Sequence, residues 1–279
     1  MRLRVVTLNV WNTEGDPRRA ELINRELRRL DPDLVALVEV VKTPEWDQLA
    51  ELLDGTGLHG THELDVMATA PPDVEQYGGN ALATRWPHRV VEELDLRLPD
   101  APDLPWCTLA AAVPLPDEGD LLFIATCLAW RMEAESARER QAVAITDLDA
   151  RHRTALPSIM AGDFNATPDA ACMRYFTGLQ SLGGRSAYYH DAWAVAGKGP
   201  GYTWTSDNPN TVPTIEVMVG PHEHHRRIDY VLVGGPEAHP QARCRIVAAE
   251  LAFHEPVDSV WPSDHFGVVA DLELGMMSG

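Results

Sequence analysis

Short apolar runs that begin or end at a polar side chain recur along this chain. Leu3 to Leu8 leads to Asn9, Leu34 to Val38 leads to Glu39, and Ser158 to Ala161 leads into Gly162-Asp163-Phe164-Asn165. Later, Asp229 opens Tyr230 to Val233, and Ser263-Asp264-His265 precedes Phe266 to Ala270. Runs of this length, rich in Val and Leu and without polar alternation, predict strands covered on both faces. Further strand runs fall at residues 80–95, 107–113 and 121–128. Between the strands lie helices. Asp16-Pro17 reads as an N-cap with Pro at the first helical position, and Leu22, Ile23, Leu27 and Leu30 form a stripe that Asp31-Pro32 stops. Thr43-Pro44-Glu45 starts a second helix with Trp46, Leu49, Leu52 and Leu53 inward and Gly55 closing it. A third covers residues 133–150, and Pro168 opens a short fourth.

Every polar residue singled out above sits at a strand end, where a core mouth gathers side chains into one cleft. A carboxylate beside an imidazole, as in Asp264-His265, suits metal-assisted attack on phosphorus: the acid holds a cation and the ring stabilises charge on phosphoryl oxygens. A second Asp with an Asn two residues on, Asp163 and Asn165, suits taking a proton from water and aiming that water. Together these segments point to a hydrolase.

The ordered set resembles the endonuclease/exonuclease/phosphatase superfamily, the group containing DNase I, apurinic endonucleases, neutral sphingomyelinases and inositol polyphosphate 5-phosphatases. The resemblance runs from Asn9 to His265. Gly79-Asn80-Ala81-Leu82-Ala83-Thr84-Arg85-Trp86-Pro87 and Gly201-Tyr202-Thr203-Trp204 are similar to two further stretches of that family, and five matches in order are far more specific than one. The resemblance implies an α/β (α+β) fold of the DNase I-like kind, a four-layer αββα sandwich, over a single domain of residues 1–279. It implies Glu39 as the main Mg²⁺ ligand with Asn9 and Asp264 beside it, Mn²⁺ being an alternative ion. Asp163 would activate the water, Asn165 would orient it, Asp229 would hold the ring of His265, and His265 would meet the phosphate. Hard oxygen ligands favour Mg²⁺ or Mn²⁺ over Zn²⁺.

One position departs from the pattern. Many members carry Thr-His-Leu before the long central helix, with the His near the leaving group; here the strand reads Phe123-Ile124-Ala125-Thr126-Cys127-Leu128. A thiol is a weak donor without positive charge. The substitution fits a good leaving group, a different donor such as Arg131, weak activity or an unusual substrate. Cys127 itself reads as a small half-buried residue rather than a nucleophile.

Composition narrows the picture further. The net charge is −19, from 23 basic against 42 acidic residues. A nucleic-acid binder usually neutralises several phosphates with Lys and Arg, so this balance leans toward a small or lipid-like phosphate ester and away from a long polyanion. The pair Arg226-Arg227 beside Asp229 is the basic stretch placed to touch a phosphate, and Arg227 and Trp204 join Cys127 and Arg131 as candidate substrate contacts. Arg25, Arg28 and Arg29 read as a solvated helix face. The stretch His222-Glu223-His224-His225 reads as a loop, because consecutive residues do not easily wrap one ion. Trp11, Trp130, Trp204 and Trp261 each lie beside a proposed site strand, and either core packing or an aromatic pocket accounts for them. No apolar run has the length of a membrane span, the first strand begins at Leu3, and the four cysteines lack CxxC spacing. These features are read as a cytoplasmic protein with reduced thiols and no signal peptide. The reading is therefore a Mg²⁺-dependent phosphoesterase hydrolysing a mono- or diester by in-line attack of water. The alternatives are a nuclease or DNA-repair phosphodiesterase of the same mechanism, and a non-catalytic binding member of the fold.

Overall fold

Neighbouring residues of the strands face opposite sides, and each side finds its own apolar partner. In β1 (Arg2–Asn9), Leu3 and Val5 enter one core while Val6 and Leu8 enter another. This is the period-2 geometry of a strand buried on both faces. The computed structural model describes residues 1–68, 78–98 and 107–276. Among them, two six-stranded sheets lie face to face.

The first sheet contains β1, β2 (Leu34–Val40), β3 (His59–His62), β4 (Gly79–Thr84), β13 (Ala242–Ala252) and β14 (Gly267–Met276), in the order β13-β14-β1-β2-β4-β3. The second contains β5 (Arg89–Asp95), β6 (Cys107–Leu115), β7 (Gly119–Cys127), β8 (Ile159–Asp163), β9 (Tyr189–Asp191) and β12 (Asp229–Gly234), in the order β5-β6-β7-β8-β12-β9. Leu3, Val5 and Ala36 of the first sheet meet Phe123, Ala161 and Val231 of the second in the central core. On the outer face of the first sheet, Val6, Leu8 and Leu37 pack against Ile23 and Leu27 of α1 (Arg19–Leu30) and Leu49 and Leu52 of α2 (Gln48–Leu53). On the outer face of the second, Leu122, Ile124 and Met160 pack against Ala142, Ile145 and Leu148 of α3 (Glu135–His152), together with Cys172 and Phe176 of α4 (Ala171–Phe176). The layers are helix, sheet, sheet, helix, as expected for the αββα sandwich.

Helix boundaries differ from the sequence reading for local reasons. Asp16 does not cap α1; its carboxylate accepts the Arg18 N–H in a preceding turn, and the helix begins at Arg19. Likewise Thr43 closes a turn by accepting from the backbone N–H groups of Glu45 and Trp46, and α2 starts later, capped by Asp47 accepting from Ala50. Trp46 therefore lies outside the helical register and is exposed, not inward.

Parallel pairing of β1 with β2 and of β7 with β8 brings their C-terminal ends to one edge. Antiparallel β12 and β14 begin at that edge, in register Asp229↔Asp163 and Val268↔Thr7. All five polar strand ends thus converge. Two glycines make the edge possible. A Cβ on Gly162 would lie 1.8 Å from the Thr126 carbonyl oxygen, and one on Gly78 would lie 2.4 Å from the Glu39 carbonyl carbon.

Candidate active site

Glu39 reaches the cleft through an irregularity in its strand. The register of β2 against β4 shifts between Leu37 and Val40, and Glu39 takes φ of 60°. Such a bulge re-aims a side chain, and a non-glycine residue in the left-handed region is costly enough to be kept for a purpose. Asn165, two residues after the end of β8, also lies in the left-handed region, with φ of 51°.

Asn9 ties the two sheets together. Its Nδ2 donates to Glu39 Oε1 at 3.0 Å and to Asp163 Oδ2 at 3.2 Å. Asp163 Oδ1 accepts from the backbone N–H of Asn165 at 2.8 Å, so both of its oxygens are oriented. The Asn165 side chain donates to the Leu128 carbonyl at 3.1 Å and approaches Cys127 Sγ at 3.7 Å. Asp229 Oδ2 lies 2.9 Å from His265 Nδ1. Fixing that nitrogen leaves Nε2 to face a ligand.

Burial makes these groups interact strongly. Asn9, Asp163, Asp229, Asp264 and His265 are buried, and Glu39 keeps only part of its surface open to the cleft. Burial and then the charge of Asp264 lift the Glu39 carboxyl to about 7. Burial and then Asp229 lift Asp163 to about 7, and burial raises Asp264. For His265, burial alone would lower the imidazole, but Asp229, Asp264 and Asp163 outweigh it and hold the ring well above the ordinary histidine range. Desolvated carboxylates crowded in this way are relieved by a proton or by a bound cation.

The donor set fits a hard divalent ion. Asp163, Asp229 and His265 offer ligand atoms within 4.8 Å of one another, and Asp229 Oδ1 is buried without a hydrogen-bond partner. Glu39 and Asp264 are further carboxylate donors of the same cleft, close enough that the Asp264 charge raises the Glu39 carboxyl.

The candidate substrate contacts fall in different places. Cys127 is fully buried beneath Asn165, opposite Asp163 in the β7–β8 register, and burial followed by the Asp163 charge pushes its thiol well above the usual range. Arg131 is exposed, with its guanidinium 5.6 Å from the ring centre of exposed Trp130. Trp204 is buried in a small core with Ile215 and Ile228. Arg227 turns away from the cleft: it contacts Asp191 at 2.8 Å, off the angle of a hydrogen bond, and lies 4.6 Å from the ring centre of Tyr230. His225 lies in the two-stranded antiparallel pairing of β10 (Trp204–Thr205) with β11 (His225–Arg226), His224 just before it, and Thr205 and Tyr202 engage His225.

Several supporting residues escaped the sequence reading. Thr203 Oγ1 accepts from the backbone N–H of Ile228 and of Asp229, fixing the start of β12. The long segment after Ser206 clamps the Ser263–His265 turn: Asn208 Nδ2 donates to the Ser263 carbonyl at 2.9 Å and Thr211 Oγ1 to the Asp264 carbonyl at 2.7 Å. Arg19 donates to the carbonyls of Val10 and Pro262, joining the same turn to the end of β1. Only Thr203 carried a signal, through its place in the Tyr-Thr-Trp stretch. The other three work through backbone carbonyls, which leave no pattern of residue types.

The sequence profile of the Endonuclease/Exonuclease/phosphatase family matches residues 6–265, and the chain belongs to that family. Its fold is similar to that of D. rerio TDP2 complexed with single-strand DNA product, at 18% identity and TM-score 0.72 over 98% of this chain and 99% of that one. It is also similar to the endonuclease/exonuclease/phosphatase from Bacteroides vulgatus, at 18% identity and TM-score 0.66 over 98% and 99% of the two chains. A third likeness is to the endonuclease/exonuclease/phosphatase from Beutenbergia cavernae, at 24% identity and TM-score 0.66, covering 98% of this chain and 72% of that one. No curated protein matches the sequence. No helix among the described residues is long and apolar enough to cross a membrane.

Proposed function

We propose that the protein is a Mg²⁺-dependent phosphoesterase that hydrolyses a compact phosphate mono- or diester, small or lipid-like, by in-line attack of water. The observation that carries this reading is the gathering of Glu39, Asp163, Asp229 and Asp264 around Asn9 and the ring of His265. Glu39, Asn9 and Asp264 would hold the ion, with Mn²⁺ as an alternative. When bound, the ion would polarise the phosphoryl oxygen and offset the crowded negative charge.

Asp163 takes the proton of the attacking water on Oδ2, the oxygen that Asn9 Nδ2 also orients, while Oδ1 is held by the Asn165 N–H. Asn165 orients the same water. Asp229 holds His265 through Nδ1, and the imidazolium stabilises the phosphoryl oxygens as charge builds on them. Cys127 supplies no proton, since its thiol lies under Asn165 and is raised far above neutrality.

A nuclease reading stands second. The related fold in D. rerio carries a single-strand DNA product, and exposed Trp130 offers a ring on which a base could stack. The net charge of −19 favours the compact ester over the strand. The test is release of phosphate or nitrophenol from a panel of monoesters, diesters, nucleotides, phospholipid head groups and single- and double-stranded DNA, with Mg²⁺, Mn²⁺ or EDTA. Metal-dependent release that disappears in Asp163→Asn supports the reading, and the preferred ester chooses between its two forms. Release that survives EDTA or the substitution refutes it.

A further inference from the structure

A site built of four carboxylates must still attract an anion, and that requirement singles out its arginines. Among the described residues near the site, Arg19 and Arg138 are spent on backbone carbonyls: Arg19 serves Val10 and Pro262, and Arg138 serves Ala129, Arg131 and Met132. Arg227 is committed to Asp191 and Tyr230. Arg226 is placed differently. Successive residues of an extended segment point to opposite sides, so when Arg227 turns to Asp191, Arg226 turns to the Asp163 loop. There its Nη2 donates to the Asn165 carbonyl at 2.9 Å. Its Nη1 lies 3.2 Å from Met132 Sδ, a thioether and a weak acceptor. A guanidinium has five N–H donors in a planar fork. One strong and one poor acceptor leave most of that capacity for a ligand. The side chain is half-buried, and Asp163 is the largest attractive charge acting on it.

We propose that Arg226 is a catalytic residue that binds the phosphoryl group of the ester. Its guanidinium exchanges the Met132 sulfur for a non-bridging phosphoryl oxygen while Nη2 stays on Asn165. The donor comes from β11, which pairs with β10, so it is carried by the same two-stranded unit that contains Trp204 and His225. It supplies, from the other side of Asn165, the positive charge that the buried Cys127 cannot. The proposal rests on the phosphoesterase reading for its chemistry, but anion binding tests it separately.

The experiment compares wild type, Arg226→Gln and Arg226→Lys for binding of inorganic phosphate in Mg²⁺ by calorimetry, and for turnover of the best ester with and without guanidinium chloride. We expect Arg226→Gln to bind phosphate at least about tenfold more weakly, the scale of one charge-assisted contact. Its turnover should fall about a hundredfold and recover in part with millimolar guanidinium but not with urea. Arg226→Lys, which keeps the charge and loses the fork, should lie between. If Arg226→Gln does not fold, Arg226→Lys decides the matter, and wild-type phosphate binding and turnover in it overturn the proposal. Unchanged phosphate affinity in a folded Arg226→Gln, or a loss that guanidinium does not relieve, also overturns it. Phosphate binding through Arg226 without hydrolysis of any ester would sink the phosphoesterase reading and leave the anion site standing. No phosphate binding by wild type would sink the anion site and leave the phosphoesterase reading to the ester-release assay.

Discussion

Glu63 provides a sharp physical test, because it is a carboxyl buried without a cation just behind the Glu39 turn. Its Oε2 accepts from the Asn80 N–H at 2.7 Å and from Cys107 Sγ at 3.1 Å, while Oε1 has no partner. Burial is the main cause that lifts it from 4.5 to about 7. The unfolded carboxyl loses its proton near 4.5 and the folded one near 7, so between those values the folded state holds the extra proton. Stability from this group is complete below pH 4.5, falls as pH rises, and is gone above 7. The full span corresponds to about 3 kcal/mol, and the interval from pH 5 to pH 8 captures about 2–3 kcal/mol of it. Glu63→Gln keeps an acceptor for Asn80 and cannot ionise. We expect the variant to match wild type at pH 5 and to exceed it by about 2–3 kcal/mol at pH 8. The assay is urea unfolding at both pH values in EDTA, taken as the difference between the two proteins so that other titrating groups cancel. A difference that does not change with pH would refute the claim that Glu63 is a desolvated acid. The result bears on the site because Glu63 anchors β4 through Asn80, and Gly78, the residue just before β4, packs against the Glu39 backbone.

Other outcomes follow from the same geometry. Glu39→Gln should weaken the Mg²⁺ dependence of turnover, and an unchanged metal titration would remove Glu39 from the site. Asp163→Asn and His265→Ala should each lower turnover by at least about a hundredfold, the scale of a lost acid–base group or charge stabiliser; full activity in His265→Ala would end the mechanism proposed here. Arg227→Ala should destabilise the fold by about 1–3 kcal/mol, measured by urea unfolding, because buried Asp191 loses its cation and keeps only the backbone N–H groups of Trp193 and Ala194; a neutral result would show that those two donors suffice. Cys127→Ala should change turnover by less than about threefold, because a thiol so far from ionising neither attacks nor donates. A large loss would place the sulfur in the reaction.

Much of the site could be read along the chain, and particular residues show why. Asn9, Glu39, Asp163, Asp229 and His265 each punctuate an apolar run, so their placement at strand ends follows from a local pattern. Strand parity is local too: the contrast between Leu3 and Val6 is enough to require cover on both sides of β1. Helix starts were legible only to within a few residues, since Asp16 and Thr43 are good caps that the chain uses for turns instead.

What the sequence by itself determined is the set of chemical groups and the kind of layer each strand needs, because periodicity and residue type act over a few positions. The tertiary structure alone decided which neighbours those groups meet. It sent Arg227 to Asp191 and Arg226 to Asn165, buried Trp204, and set Asn208 and Thr211 on the carbonyls of the Ser263–His265 turn. It also turned crowded acids into groups that hold protons near neutrality, because desolvation and mutual repulsion depend on packing between residues far apart in the chain.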